Sequence, residues 1–398
     1  MTRLDPEAWL GRPGFRRLLS ALDAEMGRTR LVGGVVRDSL LGLPVSDIDL
    51  ATTLSPEAVT ERLEAANIRA VPTGLAHGTV TAVAGGTPYE VTTLRRDVAT
   101  DGRHAEVAFT DDWLADAQRR DFTINALYAD PLTGEVIDLV GGLPDLEARR
   151  VRFIGHPLTR IAEDHLRILR FFRFSARFSA TLDRQGLAAC AARANNLMAL
   201  SRERIRDELL KLLALPDPAP TIAAMVSHGI LAPVLPEIAA GRLADLSALI
   251  AAEAQARVAP DGLRRLAALL PPDPALATEI GNRLRLSNLE KGRLLHAATR
   301  TPVPADPRAL AYRLGAAATL DRLLLTGDPR AAHWAGPLSQ YRRPRLPVSG
   351  KDLIAMGLAP GPAVSRRLAE VEERWIAAGF PADRASTLAI ARDVLGIS

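Results

Sequence analysis

Leu31-Val32-Gly33-Gly34-Val35-Val36-Arg37-Asp38, followed by Ser46-Asp47-Ile48-Asp49-Leu50, reads as a strand that runs into a glycine pair, then a helix, then a second strand. A glycine pair at such a junction leaves backbone N–H groups free to cradle phosphate oxygens, and Arg37 adds a forked positive clamp. The glycine pair alone is a weak signal. Asp47 and Asp49 stand two apart on a strand predicted over Asp47 to Ala51, so both carboxylates project from one face and Ile48 from the other. Carboxylates that close repel unless a cation lies between them, and hard oxygen ligands suit Mg2+ held together with substrate phosphates. In isolation, an Asp-x-Asp reads first as an Asx turn or an exposed strand pair.

Working outward, short β-branched runs alternate with turn signals from Thr29 to about Asp138, which predicts an α+β domain built on a sheet. Further strands are predicted over Thr29 to Val32, Thr79 to Ala84 and Tyr89 to Leu94, with Gly85-Gly86-Thr87-Pro88 turning one into the next. Ser55-Pro56-Glu57 offers an N-cap followed by proline at the first helical position, so a helix is expected over Pro56 to Ala65. The polar stretch Asp97 to Thr110 reads as a loop. Beyond Pro157, Ala/Leu/Arg segments with helical spacing are broken by proline-rich joints at Pro216 to Pro220, Pro271 to Pro274 and Pro302 to Pro307. The expected organisation is a sheet domain over 1–150, a helical recognition domain over 151–215 and a helical body and tail over 216–398.

Three further constellations carry chemistry. Glu90, on the later strand, could complete a two-metal clamp or act as base on an attacking hydroxyl, or it could be a surface residue of an edge strand. Arg119-Arg120-Asp121-Phe122-Thr123-Ile124-Asn125-Ala126 packs two guanidiniums, a carboxylate and an amide beside an apolar run. That set suits ribose hydroxyls and phosphates, although a helix end running into a strand reads almost as well. From Arg160 to Phe174 one helix is predicted, with Ile161, Ile168, Leu169, Phe172 and Ala176 on a core face and Arg160, Glu163, Asp164 and Arg167 on another. Asp164 and Arg167, at i and i+3, are either a surface ion pair or a base reader. The Watson–Crick edges of cytosine and adenine both place an amino donor beside a ring-nitrogen acceptor, so a carboxylate beside a guanidinium would accept C and A and reject U and G.

Composition narrows the class. Of 398 residues, 47% are apolar and 24% charged, which excludes a wholly disordered or collagen-like chain. A long uncharged run between Asp217 and Glu237 contains Pro218, Pro220, Pro233 and Pro236, so it cannot be a regular membrane span. Cys190 has no disulfide partner and no basic-plus-apolar leader is evident, from which a reducing, cytoplasmic setting is expected. The net charge of +4 is compatible with a polyanionic partner, and Arg149, Arg150, Arg152, Arg160, Arg167, Arg170, Arg173 and Arg177 gather in one short stretch.

In order and in wording, the segments from Leu31 to Phe178 resemble the class II tRNA nucleotidyltransferase and poly(A) polymerase family of the polymerase β superfamily. The resemblance implies a polymerase-β-like nucleotidyltransferase sheet domain followed by an all-α half. It implies catalytic Asp47, Asp49 and Glu90, with Mg2+ on Asp47 and Asp49. Nucleotide binding would fall to Gly33, Gly34, Arg37, Arg120, Asp121, Asn125, Arg160, Asp164, Arg167 and Arg170, with Asp164 and Arg167 as an amino-acid template. Thr100-Asp101-Gly102-Arg103-His104-Ala105-Glu106-Val107 is similar to the flexible loop of enzymes that add the full CCA end, and Val151-Arg152-Phe153-Ile154-Gly155-His156-Pro157 is also CCA-like. No adjacent His-Asp pair occurs, so an appended HD-type phosphohydrolase domain is not expected. The implied activity is template-independent addition of CCA to tRNA from CTP and ATP. Poly(A) polymerase, or a non-catalytic RNA-binding protein of the same fold, are the alternatives.

Overall fold

The computed structural model describes residues 2–74, 78–100 and 105–397. Two compact units divide the chain, Met1–Ala240 and Gly241–Ser398. The strands run, in order, β1 (Thr29–Val32), β2 (Asp49–Thr52), β3 (Arg69–Gly74), β4 (Thr79–Ala84), β5 (Thr87–Thr93), β6 (Arg95–Thr100), β7 (Ala105–Phe109), β8 (Leu127–Ala129) and β9 (Val136–Asp138). Seven of them form one sheet in the order β3-β4-β5-β2-β1-β8-β9, while β6 and β7 pair as a separate ribbon. Beyond Pro157 every regular element among the described residues is helical, so the α+β class with a helical second half holds.

Local chemistry explains the sheet. Ser55 accepts from Ala58 N at 3.2 Å and Pro56 opens the helix Pro56–Ala65, as the capping pattern predicts. Gly85 and Gly86 turn β4 into β5 with φ of +57° and +82°, and a Cβ at Gly85 would stand 2.0 Å from Pro13 O. Only glycine satisfies both conditions there. All strand pairs in the main sheet are antiparallel except β2 with β5, whose parallel register sets Asp49 against Glu90.

Four sequence expectations need correction. The second strand begins at Asp49, not Asp47, because its partner β1 leaves the sheet at Gly33 after Leu31 pairs with Leu50. Asp47 therefore stands just before the strand, exposed, with Ile48 buried and Asp49 half-buried, so the alternation survives without the pairing. The strand carrying Glu90 begins at Thr87, which leaves Glu90 in its middle. The stretch read as a loop from Asp97 to Thr110 belongs largely to the β6–β7 ribbon, with Arg95 opposite Phe109 and Arg96 opposite Ala108. β-branched and aromatic residue types recur in this stretch of sequence, which favours strands despite the polar company. Residues 101–104, the centre of the loop singled out by the family resemblance, lie outside the described residues.

The last correction concerns the helix expected from Arg160. The single helix expected from Arg160 to Phe174 is two, Pro157–Glu163 and Arg167–Phe178, broken at Asp164 with φ −149° and ψ 110°. Asp164 makes the break itself: its carboxylate accepts from Leu166 N at 3.1 Å and its backbone carbonyl from Arg167 N at 3.0 Å. Aspartate competes with the helix in this way wherever its side chain can reach nearby N–H groups. The apolar face is as expected, with Ile161, Ile168, Leu169 and Phe172 buried and Ala176 half-buried. It packs through a run of rings: Phe153 stacks on Phe171 at 5.4 Å between centroids, and Phe122 meets Phe153 at 5.0 Å and Phe174 at 5.4 Å. These rings fix the second helix against the segment that follows Arg119 and Arg120.

Within the second unit the proline joints launch helices. Asp273 and Asp306 cap the helices Pro274–Arg283 and Pro307–Leu314, each with proline in its first turn. No described helix is long and apolar enough to cross a membrane.

Candidate active site

A cavity of about 440 Å3 opens in the first unit. The glycine turn forms one wall. Gly33 has φ +71°, closed to most side chains, and no side chain caps the helix Gly34–Leu40 that follows. From that helix Arg37 reaches inward, its Nη1 donating to Asn125 Oδ1 at 2.5 Å and its Nε to Asp38 Oδ1 at 2.8 Å. Its guanidinium lies 4.2 Å from the centre of the Phe178 ring.

The opposite wall comes from the segment after the helix Trp113–Gln118 and from the helix Arg167–Phe178 with the break at Asp164 before it. Gly33, Gly34, Arg37, Asp49, Arg120, Asp121, Asn125, Asp164, Arg167 and Arg170 all line the cavity, joined by Val32, Arg119 and Phe174. Asp47, Glu90 and Arg160 stand outside that lining. Arg160 instead donates to Gln118 O at 2.6 Å and pairs with Glu163.

Asp121 faces the cavity with both oxygens engaged. Oδ1 accepts from Phe122 N at 2.8 Å and Asn125 Nδ2 at 3.1 Å, and Oδ2 accepts from Arg170 Nε and Nη2 at 2.8 and 2.6 Å. Burial works against its charge, but Arg170 and the Asn125 amide outweigh it and hold the carboxyl below the usual range. The same carboxylate raises the Arg170 guanidinium against its own burial.

Asp164 and Arg167 both reach the cavity, but not as the i, i+3 ion pair of one helix face. Asp164 is gripped by Arg204 Nη2, at 3.0 and 2.8 Å from its two oxygens. Arg167 pairs with Glu163 Oε2 at 2.5 Å and donates to Arg160 O at 3.0 Å and Arg119 O at 2.8 Å. Acceptor and donor are therefore each anchored to a separate partner. Sequence reading missed Arg204, which lies on the helix Arg202–Leu213, because a partner 40 residues away leaves no local pattern.

Asp49 is the point of electrostatic stress. Burial, then the Glu90 and Asp47 carboxylates, push its carboxyl up to about 6, with Arg120 opposing them. Glu90 shares its face, since register partners in a parallel pair point the same way. Carboxylates crowded like this are the condition a divalent cation relieves. Among the described residues no three His, Cys, Asp or Glu side chains form a ligand set. Mg2+ takes one or two carboxylates and completes its shell with water and substrate phosphates, and the crowded Asp49 with Asp47 is a donor set of that kind.

Residues 29–152 match the family model described as the poly A polymerase head domain, and residues 181–241 match the one described as "Probable RNA and SrmB- binding site of polymerase A". The mitochondrial CCA tRNA nucleotidyltransferase 1 of Mus musculus is 34% identical over 394 residues, 92% of this chain and 87% of that protein. The CCA-adding enzyme of Lacticaseibacillus paracasei is 31% identical over 406 residues, 97% of this chain and 98% of that protein. Among solved structures, the Bacillus stearothermophilus CCA-adding enzyme in complex with CTP superposes with a TM-score of 0.74 at 28% identity, covering 96% of this chain and 98% of that one.

Proposed function

Since the chain belongs to the family of CCA-adding tRNA nucleotidyltransferases in the polymerase β superfamily, we propose that it completes tRNA 3′ ends without a nucleic-acid template, adding CMP, CMP and AMP from CTP and ATP with release of pyrophosphate. One observation carries the reading beyond kinship. Residues scattered from Gly33 to Arg170 meet in one cavity, where five guanidiniums, of Arg37, Arg119, Arg120, Arg167 and Arg170, face the carboxylates of Asp49 and Asp164.

The chemistry divides along the cavity. Gly33 and Gly34, with uncapped helix N–H groups, and Arg37 and Arg120 bind the triphosphate and neutralise charge as pyrophosphate departs. Asp47 and Asp49 would hold Mg2+, which when bound supplies Lewis-acid stabilisation of the reacting phosphoryl oxygens. Glu90, beside Asp49, takes the proton of the tRNA 3′-hydroxyl or strengthens the cation site. Asp164 accepts from the amino group of C or A, and Arg167 donates to the adjacent ring nitrogen. Asn125 and Asp121, locked to Arg37 and Arg170, hold the two arginine groups apart across the sugar. In-line displacement then needs mainly positioning. The lone Cys190 is buried, and its thiol is raised by burial, which suits a cytoplasmic, reducing setting.

Purified chain incubated with tRNA lacking its 3′ end, labelled CTP, ATP or both, and Mg2+, tests this on a sequencing gel. Two additions with CTP alone and a third with ATP are expected, and Asp49→Ala should slow both at least about a hundred-fold while tRNA still binds. A growing ladder of A identifies a poly(A) polymerase, and no extension by wild type overturns the reading.

A further inference from the structure

Five like charges around one cavity repel one another, so each must be fixed by something behind it. Arg37 is backed by Asp38, Arg167 by Glu163 and Arg170 by Asp121. Arg119 and Arg120 share one carboxylate, that of Asp116, which lies outside the cavity lining with a side chain only 1% exposed.

The division of that carboxylate is complete. Oδ1 accepts from Arg119 Nε at 2.9 Å and Nη2 at 2.6 Å, and Oδ2 accepts from Arg120 Nε at 3.2 Å and Nη2 at 2.9 Å. The Tyr128 hydroxyl donates to Oδ2 at 2.6 Å, and the backbone N–H of Arg95, first residue of the β6–β7 ribbon, reaches Oδ1 at 3.3 Å. Each arginine thus turns the same edge, Nε with Nη2, backward onto Asp116. Nη1 of Arg120 in consequence points toward the glycine turn, 3.9 Å from where a Cβ on Gly33 would stand. Burial opposes the charge on Asp116, but the Arg120 and Arg119 guanidiniums and the Tyr128 hydroxyl outweigh it and hold the carboxyl down to about 2. It is ionised throughout the neutral range.

We propose that Asp116 is a positioning residue for nucleotide binding, which holds the Nε–Nη2 edges of Arg119 and Arg120 from behind, presets Nη1 of Arg120 toward the incoming triphosphate and ties the base of the β6–β7 ribbon to both arginines. The proposal rests on the reading of the cavity as a nucleoside triphosphate site. Arginine side chains left to rotate would have to be ordered at each binding event, and two unsupported guanidiniums side by side would splay apart. Asp116 removes both costs before the nucleotide arrives, without touching it.

The test separates nucleotide from tRNA affinity. Asp116→Asn keeps the shape and removes the charge, and CTP and ATP are titrated with Mg2+ into the full chain, with tRNA binding and thermal melting measured in parallel. A rise of about ten-fold in both nucleotide Kd values is expected, with tRNA Kd unchanged. Asp145→Asn is the structural control: Asp145 is equally buried and holds two arginines, Arg150 and Arg152, that do not line the cavity. It should lower the melting temperature and leave nucleotide Kd alone. If Asp116→Asn does not fold, Asp116→Glu, which keeps the charge but displaces the carboxylate by a methylene, is read by the same two constants. Nucleotide Kd within two-fold of wild type in the folded variant, or nucleotide and tRNA affinity falling by the same factor, overturns the proposal. Wild-type chain that binds neither CTP nor ATP overturns the reading of the cavity and the proposal with it.

Discussion

At the scale of single residues, the proposed base reader rests on two side chains whose partners differ from those their spacing suggests. Asp164 ends one helix and is clamped by Arg204, while Arg167 begins the next and is clamped by Glu163. Because acceptor and donor do not neutralise each other, each keeps hydrogen-bonding capacity for a nucleobase. Asp164→Ala and Arg167→Ala should each forfeit about 1–3 kcal/mol of discrimination, so that UTP and GTP compete measurably with CTP and ATP. Arg204→Ala should shift preference the same way but less, because the carboxylate remains and only its aim is lost. Measuring kcat/KM for all four nucleotides decides the matter. An unchanged preference order accompanied by a lower melting temperature would reduce all three residues to structural roles. The chemical types were legible in the sequence once Gly33-Gly34, Asp47-x-Asp49 and Arg119-Arg120-Asp121 were taken together and in order, since each pattern alone has a structural reading as well. Arg204 and Asp116 were not, although Asp116 stands at i, i+3 and i, i+4 from the arginines it holds. That spacing on a helix is ordinarily a surface ion pair of little consequence, and only burial distinguishes this one.

At the scale of elements, punctuation was readable and pairing was not. Ser55-Pro56 and Gly85-Gly86 announce a helix and a turn through backbone constraints that act locally. β8 and β9 are three residues each, too short for any periodicity, and exist because β1 offers β8 an edge. The β6–β7 ribbon was hidden for a related reason, since its polar residues follow no alternation and its strands pair only with each other. By the proposal for Asp116 its base would bear on the reaction, because Arg95 N contacts the carboxylate that holds Arg119 and Arg120. Deleting Asp101 to Glu106 should therefore leave addition of the two C residues active and impair the terminal A, where the reader must accommodate a larger base. Single-nucleotide extension of tRNA ending in CC, against tRNA lacking all three residues, reads the two steps separately. Equal loss of C and A addition would indicate general disruption of the fold and end the case for a switching role.

At the scale of the whole molecule, the charge excess is smaller and more local than the arginine count suggests. In the second unit Arg264, Arg265 and Arg293 are consumed internally by Glu253, Asp321 and Asp261, with Glu253 and Asp321 almost wholly buried. These arginines cement helices to one another and have nothing to offer a polyanion. The segment between the helices Ala331–Ser339 and Gly350–Ala355 is different: Arg342 and Arg345 are exposed there and form no ion pair among the described residues. Exposed guanidiniums outside any ion pair are available to phosphates, and few aromatic rings are present to stack on bases. Binding of tRNA should accordingly weaken steeply as salt is raised, through release of condensed counterions. Replacing both Arg342 and Arg345 by alanine should weaken binding to any tRNA alike and make the plot of log Kd against log salt shallower by about one unit for each phosphate no longer neutralised. CTP and ATP affinities should not move, since neither residue lines the nucleotide cavity. Fluorescence anisotropy of labelled tRNA across a salt series measures the slope. An unaltered slope in the double variant would place the phosphate-binding arginines elsewhere on the chain, and a salt-independent wild type would mean that shape and stacking, rather than charge, hold the tRNA.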